Sequence, residues 1–263
     1  MKGLDYKNKK WDKVIACLCE SKKILAGGYE REIDVIIDEC KNTSDFYRMC
    51  VCLARTYGLC VNEYLSEGNN KKVIEATYLS VKSFFMFCRM KKKDIPTKQV
   101  NTNLFSELES FICKAITIGC FDEFLDCYDN TIMGSLFLGK PEETQKLVDQ
   151  IPDIDDKTID VYYIKPQFLK NIYYALLEKD ENLFKEELSK RIRKYRRNMV
   201  DYATIIDYTT IGLIKTAKLY GLNVDLNIVE IPDFLMEDNN NNEQFALLKI
   251  PFQNKIEECL TQK

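Results

Sequence analysis

Not one histidine occurs among the 263 residues of this chain, and glycine and proline are held to 10 and 6. The first absence excludes much of catalysis: no Ser-His-Asp or Cys-His pair, no histidine metal triad and no imidazole acid–base step can be built. The scarcity of glycine and proline leaves few places where the backbone is forced out of a helix. Also missing are the G-x-x-x-x-G-K-[ST] loop and the G-x-G-x-x-G turn, the usual cradles for nucleotide phosphates. Eleven cysteines are present, yet no C-x-x-C occurs; Cys17-Leu18-Cys19 and Cys50-Val51-Cys52 are C-x-C pairs. Zinc would then need an all-cysteine or cysteine–carboxylate set, and the spacing offers none. No apolar run approaches the ~20 residues needed to cross a bilayer. No charged-then-apolar leader opens the chain, which starts Met1-Lys2-Gly3-Leu4-Asp5-Tyr6. The expectation is a cytoplasmic chain with no cofactor, no metal and no membrane partner. Its cysteines, among them Cys50, Cys60, Cys88, Cys113 and Cys120, read as small buried hydrophobes in a reducing compartment. Two-carboxylate chemistry stays open, with 41 acidic residues, but acid pairs are common on helix surfaces, so an enzyme is the weaker reading.

What is present is globular composition: 46% hydrophobic and 30% charged residues, with a net charge of −3. Such a chain has no general attraction for phosphate, and a nucleic-acid site would have to be local. Helical periodicity dominates. It predicts helices over 5–26, 29–41, a third closed by Gly68-Asn69-Asn70, then 71–90, 102–118, 121–138, one starting at Pro141, 166–178, 180–199, 201–220 and 252–261. Lys91-Lys92-Lys93-Asp94-Ile95-Pro96 reads as a loop, and "MEDNNNNEQ" as a polar low-complexity loop. "GLNVDLNIVEIP" alternates like a short extended segment near 223–230. The fold class is therefore all-α, an antiparallel array of about ten helices, for which tetratricopeptide-like hairpins are one form. No fixed repeat stands out. The chain reads as a single domain, 1–263, with the acidic, proline-bracketed stretch 151–157 as a candidate linker between lobes at 1–150 and 158–263.

The strongest local charge is basic: Lys190, Arg191, Arg193, Lys194, Arg196 and Arg197. Phe184, Leu188, Ile192, Tyr195 and Met199 form one stripe through the same helix. Acids lie toward its start and bases toward its end, which suits the helix dipole. Glu186–Lys190 and Glu187–Arg191 are i,i+4 pairs. A solvated face thus accounts for the run better than a phosphate footprint does, and nucleic acid is disfavoured as a partner. The next helix is apolar nearly all round, from Tyr202 on, with Asp201 as its cap and Asp207 inside it. A carboxylate buried there needs a partner, and Arg193 or Arg196 from the preceding helix is the expected supplier.

Residues 191–236 resemble the C-terminal signature of the bacterial immunity protein 49 family. The matching pieces are Asp201-Tyr202, Ile205-Ile206-Asp207, Thr210 through Gly221, and Glu230-Ile231-Pro232. The resemblance implies an all-α cytoplasmic protein of a polymorphic toxin system, which binds and neutralises a cognate toxin and is not an enzyme. Acidic patches would suit a basic toxin such as a nuclease. The candidates for partner contact are Asp153, Asp155 and Asp156 in the linker, with Glu237, Asp238 and Glu243 in the polar loop. The competing reading is a helical-repeat scaffold or regulator that holds a peptide or protein in a groove.

Overall fold

The computed structural model describes residues 28–43, 45–94, 102–152, 169–198, 206–224, 231–237 and 242–261. These form α1 Gly28–Thr43, α2 Phe46–Ser66, α3 Asn70–Asp94, α4 Thr102–Ile118, a 3-10 helix Phe121–Cys127, α5 Ile132–Phe137, α6 Pro141–Asp149, α7 Lys170–Leu177, α8 Glu181–Asn198, α9 Tyr208–Leu219, α10 Asp233–Met236, α11 Asn242–Leu247 and α12 Gln253–Thr261. No strand occurs among the described residues, and the all-α expectation holds. The extended segment expected near 223–230 falls mostly on 225–230, outside the described residues, while 222–224 have no regular structure. The helix expected over 5–26 lies outside them as well.

Two compact units divide the chain, and they interleave along it. The first draws on Met1–Gln99, Ile118–Cys127 and Asn227–Lys263; the second on Val100–Thr117 and Tyr128–Leu226. Most of the linker stretch 151–157 is outside the described residues.

In the first unit α2 and α3 form a helical hairpin. Gly68 closes α2 at φ 68°, a left-handed position that costs a side chain energy and glycine almost nothing. Asn69 then accepts the Lys72 amide at 3.1 Å and starts α3. The Ser80 hydroxyl donates to the Ala54 carbonyl at 2.6 Å. These two residues lie at nearly equal distances on either side of the Gly68 turn, as antiparallel pairing requires. Met49, Cys50 and Leu53 of α2 and Val73, Val81 and Phe85 of α3 are all buried. Helix α3 runs through Lys91-Lys92-Lys93 to Asp94, where a loop was expected; lysines at a helix C-terminus are favoured by the dipole, so the charge run extends the helix.

Where one helix was expected over 121–138 there are two short pieces. Phe121, Phe124 and Cys127 are all buried, at steps of three, which is the period of a 3-10 helix. Phe85 stacks on Phe124 with centroids 4.8 Å apart, fixing the segment to α3. Arg89 clamps it further, donating to both oxygens of Asp126 at 2.9 and 2.7 Å and to the Glu123 carbonyl at 3.1 Å. Asn130, at φ 61°, then turns the chain into α5.

The second unit holds α4 to α9. Helices α7 and α8 form a hairpin across Glu178-Lys179-Asp180, and the Asp180 carboxylate caps α8 by accepting the Leu183 amide at 2.9 Å. The predicted stripe of α8 is buried at Phe184, Leu188 and Ile192; the Tyr195 side chain and Met199 are outside the described residues. Helix α9 comes close to α4 where Gly212 faces Cys113. A β-carbon on residue 212 would stand 2.8 Å from the Cys113 Cβ and 3.0 Å from its Cα. Helix propensity alone would make Gly212→Ala stabilising by up to about 1 kcal/mol. The overpacked crossing reverses that sign, and we expect a net loss of about 1–3 kcal/mol in chemical denaturation. A more stable Gly212→Ala protein would contradict the close approach.

Candidate functional site

The first unit presents one short helix with its inner side fixed and its outer side bare. Phe245, buried on α11, stacks on Tyr78 with ring centroids 4.3 Å apart and an interplanar angle of 1°. The Tyr78 hydroxyl donates to the Glu123 carboxylate, with oxygens at 2.8 and 2.9 Å. One turn along α3, the Lys82 ammonium donates to the Tyr78 oxygen and to the Leu248 carbonyl, both at 3.1 Å. Burial, and then the bond to Glu123, raises the Tyr78 phenol well above its ordinary range, so it stays a donor. Gln244 adds a third rung through its amide to Glu75 at 2.9 Å. Glu75, Tyr78 and Lys82 share one face of α3 at steps of three and four. Three attachments thus hold a six-residue helix that has too few turns to be stable alone.

Facing outward from α11 are Glu243, Ala246 and Leu247. Leu247 is 83% exposed, the highest value among the exposed large hydrophobic residues. Glu243 and Leu247 are four apart and so share one side of the helix. Glu243 falls where the polar loop was expected, on a helix instead, because Phe245 gives the segment an apolar residue to bury. Glu237 is exposed after α10. Asp153, Asp155, Asp156 and Asp238, the other acidic candidates, lie outside the described residues.

The second unit carries a different kind of site, a buried polar cluster. Asp207 is buried, as expected for a carboxylate set among Ile206 and Tyr208. It precedes α9 as its N-cap and does not sit inside the helix, which starts at Tyr208; Asp201, expected as the cap, lies outside the described residues. The carboxylate accepts the Thr210 amide at 3.1 Å on one oxygen and the Thr210 hydroxyl at 2.6 Å on the other. Its charged partner does come from the preceding helix, but it is Arg191, at 2.6 Å, with side chains 2% and 4% exposed. The Arg193 and Arg196 side chains, expected in this role, are outside the described residues, as is Tyr202. Arg191 therefore does not belong to the wet face of α8. Lys190 does, pairing with Glu186 at 2.8 Å and Glu187 at 2.6 Å.

Glu109, a buried carboxyl of α4 that the sequence does not single out, acts on Cys113 as this pair does. Its two oxygens accept the amides of Ile132 and Met133, at 2.6 and 2.9 Å. These are orphan donors at the start of α5. The preceding Thr131 does not cap them, because its hydroxyl donates to the Tyr128 carbonyl at 2.6 Å. Burial pushes the Glu109 carboxyl up to about 7, against the two amides that pull it down. Burial likewise raises the Cys113 thiol, with Glu109 and Asp207 adding to the rise and Arg191 opposing it. The available signal was positional: Glu109 falls on the stripe of Ile112, Cys113 and Ile116, all buried.

Among the described residues no group of three histidine, cysteine, aspartate or glutamate side chains gathers to hold a metal ion. No described helix is long and apolar enough to cross a membrane. The cysteines expected inside the core are there: Cys50, Cys60, Cys88, Cys113 and Cys120 are buried free thiols. The chain matches no family model, no curated protein and no solved structure.

Proposed function

We propose that this chain is an immunity protein that binds and neutralises a cognate bacterial toxin through a protein–protein interface, and that α11 belongs to that interface. Two things support the reading: the resemblance of residues 191–236 to immunity protein 49, and a fixed helix that offers a bare leucine beside an acid. The second carries the argument. Leu247, at 83% exposure, gains nothing from its own fold. Covering a leucine on a partner is worth roughly 1.5–3 kcal/mol. The attachments through Phe245, Gln244 and Leu248 hold the backbone in place beforehand, which reduces the ordering cost of binding. Glu243 adds the charge that a basic toxin would meet.

The test is co-expression with the product of the adjacent gene, followed by purification of the pair. The wild-type chain restores growth and forms a stable complex. Leu247→Asp weakens that complex about tenfold or more and leaves the melting curve unchanged, because an exposed side chain contributes little to folding. A neighbouring product that is neither bound nor neutralised sinks the immunity reading. Unaltered binding by Leu247→Asp sinks the assignment of α11.

A further inference from the structure

We propose that residues 5–26 fold back on the first unit and lay their apolar stripe against the half-covered apolar residues of α1 and α2, so that this side of the unit is closed by the chain itself and is no surface for a partner. The described residues set the need. Helix α1 carries Tyr29, Ile33, Val35, Ile36, Ile37 and Cys40, and of these Cys40 alone is buried. Along α2, its main neighbour, Val51, Cys52, Leu59 and Leu65 are only half-buried. In α3, by contrast, every residue from Val81 to Cys88 is buried. A helix in an array covers its apolar side on neighbours, and α1 has more apolar surface than α2 covers.

The sequence before α1 fits that place by pattern, length and charge. Trp11, Val14, Ile15, Leu18 and Leu25 fall within about 100° of one another on a helical wheel. One residue, Gly27, separates the helix expected over 5–26 from α1 at Gly28, and so short a link returns a helix antiparallel to its neighbour. As a helix the segment is about 33 Å long, against about 24 Å for the 16 residues of α1. Residues 1–27 hold seven lysines and three acids, whereas α1 holds five acids and two bases, all of them exposed. Opposite charge selects the surface that the stripe meets.

The same segment of a second copy has the same chemistry, but Gly27 ties this one to its site. A tethered segment outcompetes a free one at ordinary protein concentrations, because its effective concentration is on the order of millimolar. The inference is independent of the partner read for α11.

Trp11 is the one tryptophan of the chain, so tryptophan fluorescence of the full chain reports on this segment alone. Acrylamide quenching of the native protein is expected to be several-fold weaker than that of the urea-unfolded chain, and unchanged on dilution. Ile36→Asp places a charge in the proposed contact. It is expected to raise the quenching to near the unfolded value while the helical circular dichroism is largely kept. Native quenching equal to the unfolded value overturns the proposal. Protection that fades on dilution also overturns it, and assigns the stripe to a second copy. Protection untouched by Ile36→Asp overturns the placement on α1. Should that variant fail to fold, Glu32→Lys combined with Asp34→Lys decides the matter, since both side chains are exposed. Quenching is then expected to rise at low salt and less so at high salt; no rise at low salt overturns the proposal.

Discussion

Asp207→Ala lowers the unfolding free energy by about 3–5 kcal/mol, because it strands the buried Arg191 cation as well as removing the cap of α9. For a chain of this size that is roughly a 10 °C fall in melting temperature. The expected pattern across variants is as telling as the size. Asp207→Asn keeps an acceptor for the Thr210 amide and removes the charge, so its cost isolates the stranded arginine. Arg191→Met leaves the reverse defect, a buried carboxylate, still paired with Thr210 through two bonds. Combining Arg191→Met with Asp207→Asn removes both charges and should recover much of either loss, since a well-packed neutral pair is often as stable as a buried ion pair. Additive losses in the double variant would show that the two side chains do not depend on each other.

Glu109→Ala is the second large effect. It removes the acceptors for Ile132 and Met133 and leaves two buried amides without partners, each worth about 1–3 kcal/mol. Its cost also depends on pH, in the opposite sense to most acidic residues. Below the upper limit of about 7 the protonated wild-type carboxyl contributes to stability, and that share disappears as pH rises through the window from 4.5. The loss should thus be about 2 kcal/mol greater at pH 5.5 than at pH 8. Urea titrations of the two proteins at both pH values give the comparison. An equal loss at both would mean that Glu109 titrates like an exposed glutamate.

Much of the architecture was legible in the sequence, and the places where it was not share a cause. Helices α3, α4, α8 and α12 declare themselves by 3.6-residue spacing and by their breakers. The 121–138 segment misleads because Phe121, Phe124 and Cys127 are three apart, a step that fits an α-helix and a 3-10 helix equally well over seven residues. Helix α9 was read as starting too early because apolar residues run continuously through its start, and only the cap at Asp207 marks the boundary. Asp207 itself was readable as a buried acid in need of an arginine. Which arginine was not readable, since Arg191, Arg193 and Arg196 all lie within two turns and the choice depends on how α8 is rotated. Glu109 was missed because its partners are backbone amides, which carry no side-chain signature. Glu243 stands out in the sequence by its charge, whereas Leu247 stands out only once Phe245 fixes the helix with that side outward.

The covering of Tyr78 by Phe245 bears on how the chain emerges from the ribosome. Lys82 and the Leu248 carbonyl that it holds are separated by 166 positions. At ordinary elongation rates the interval between their synthesis is on the order of ten to thirty seconds. Throughout that time the aromatic ring and the ammonium of α3 must wait without their final lid. A nascent chain halted before Phe245 would leave Tyr78 uncovered, and truncation of the last twenty residues would do the same permanently to the lysine.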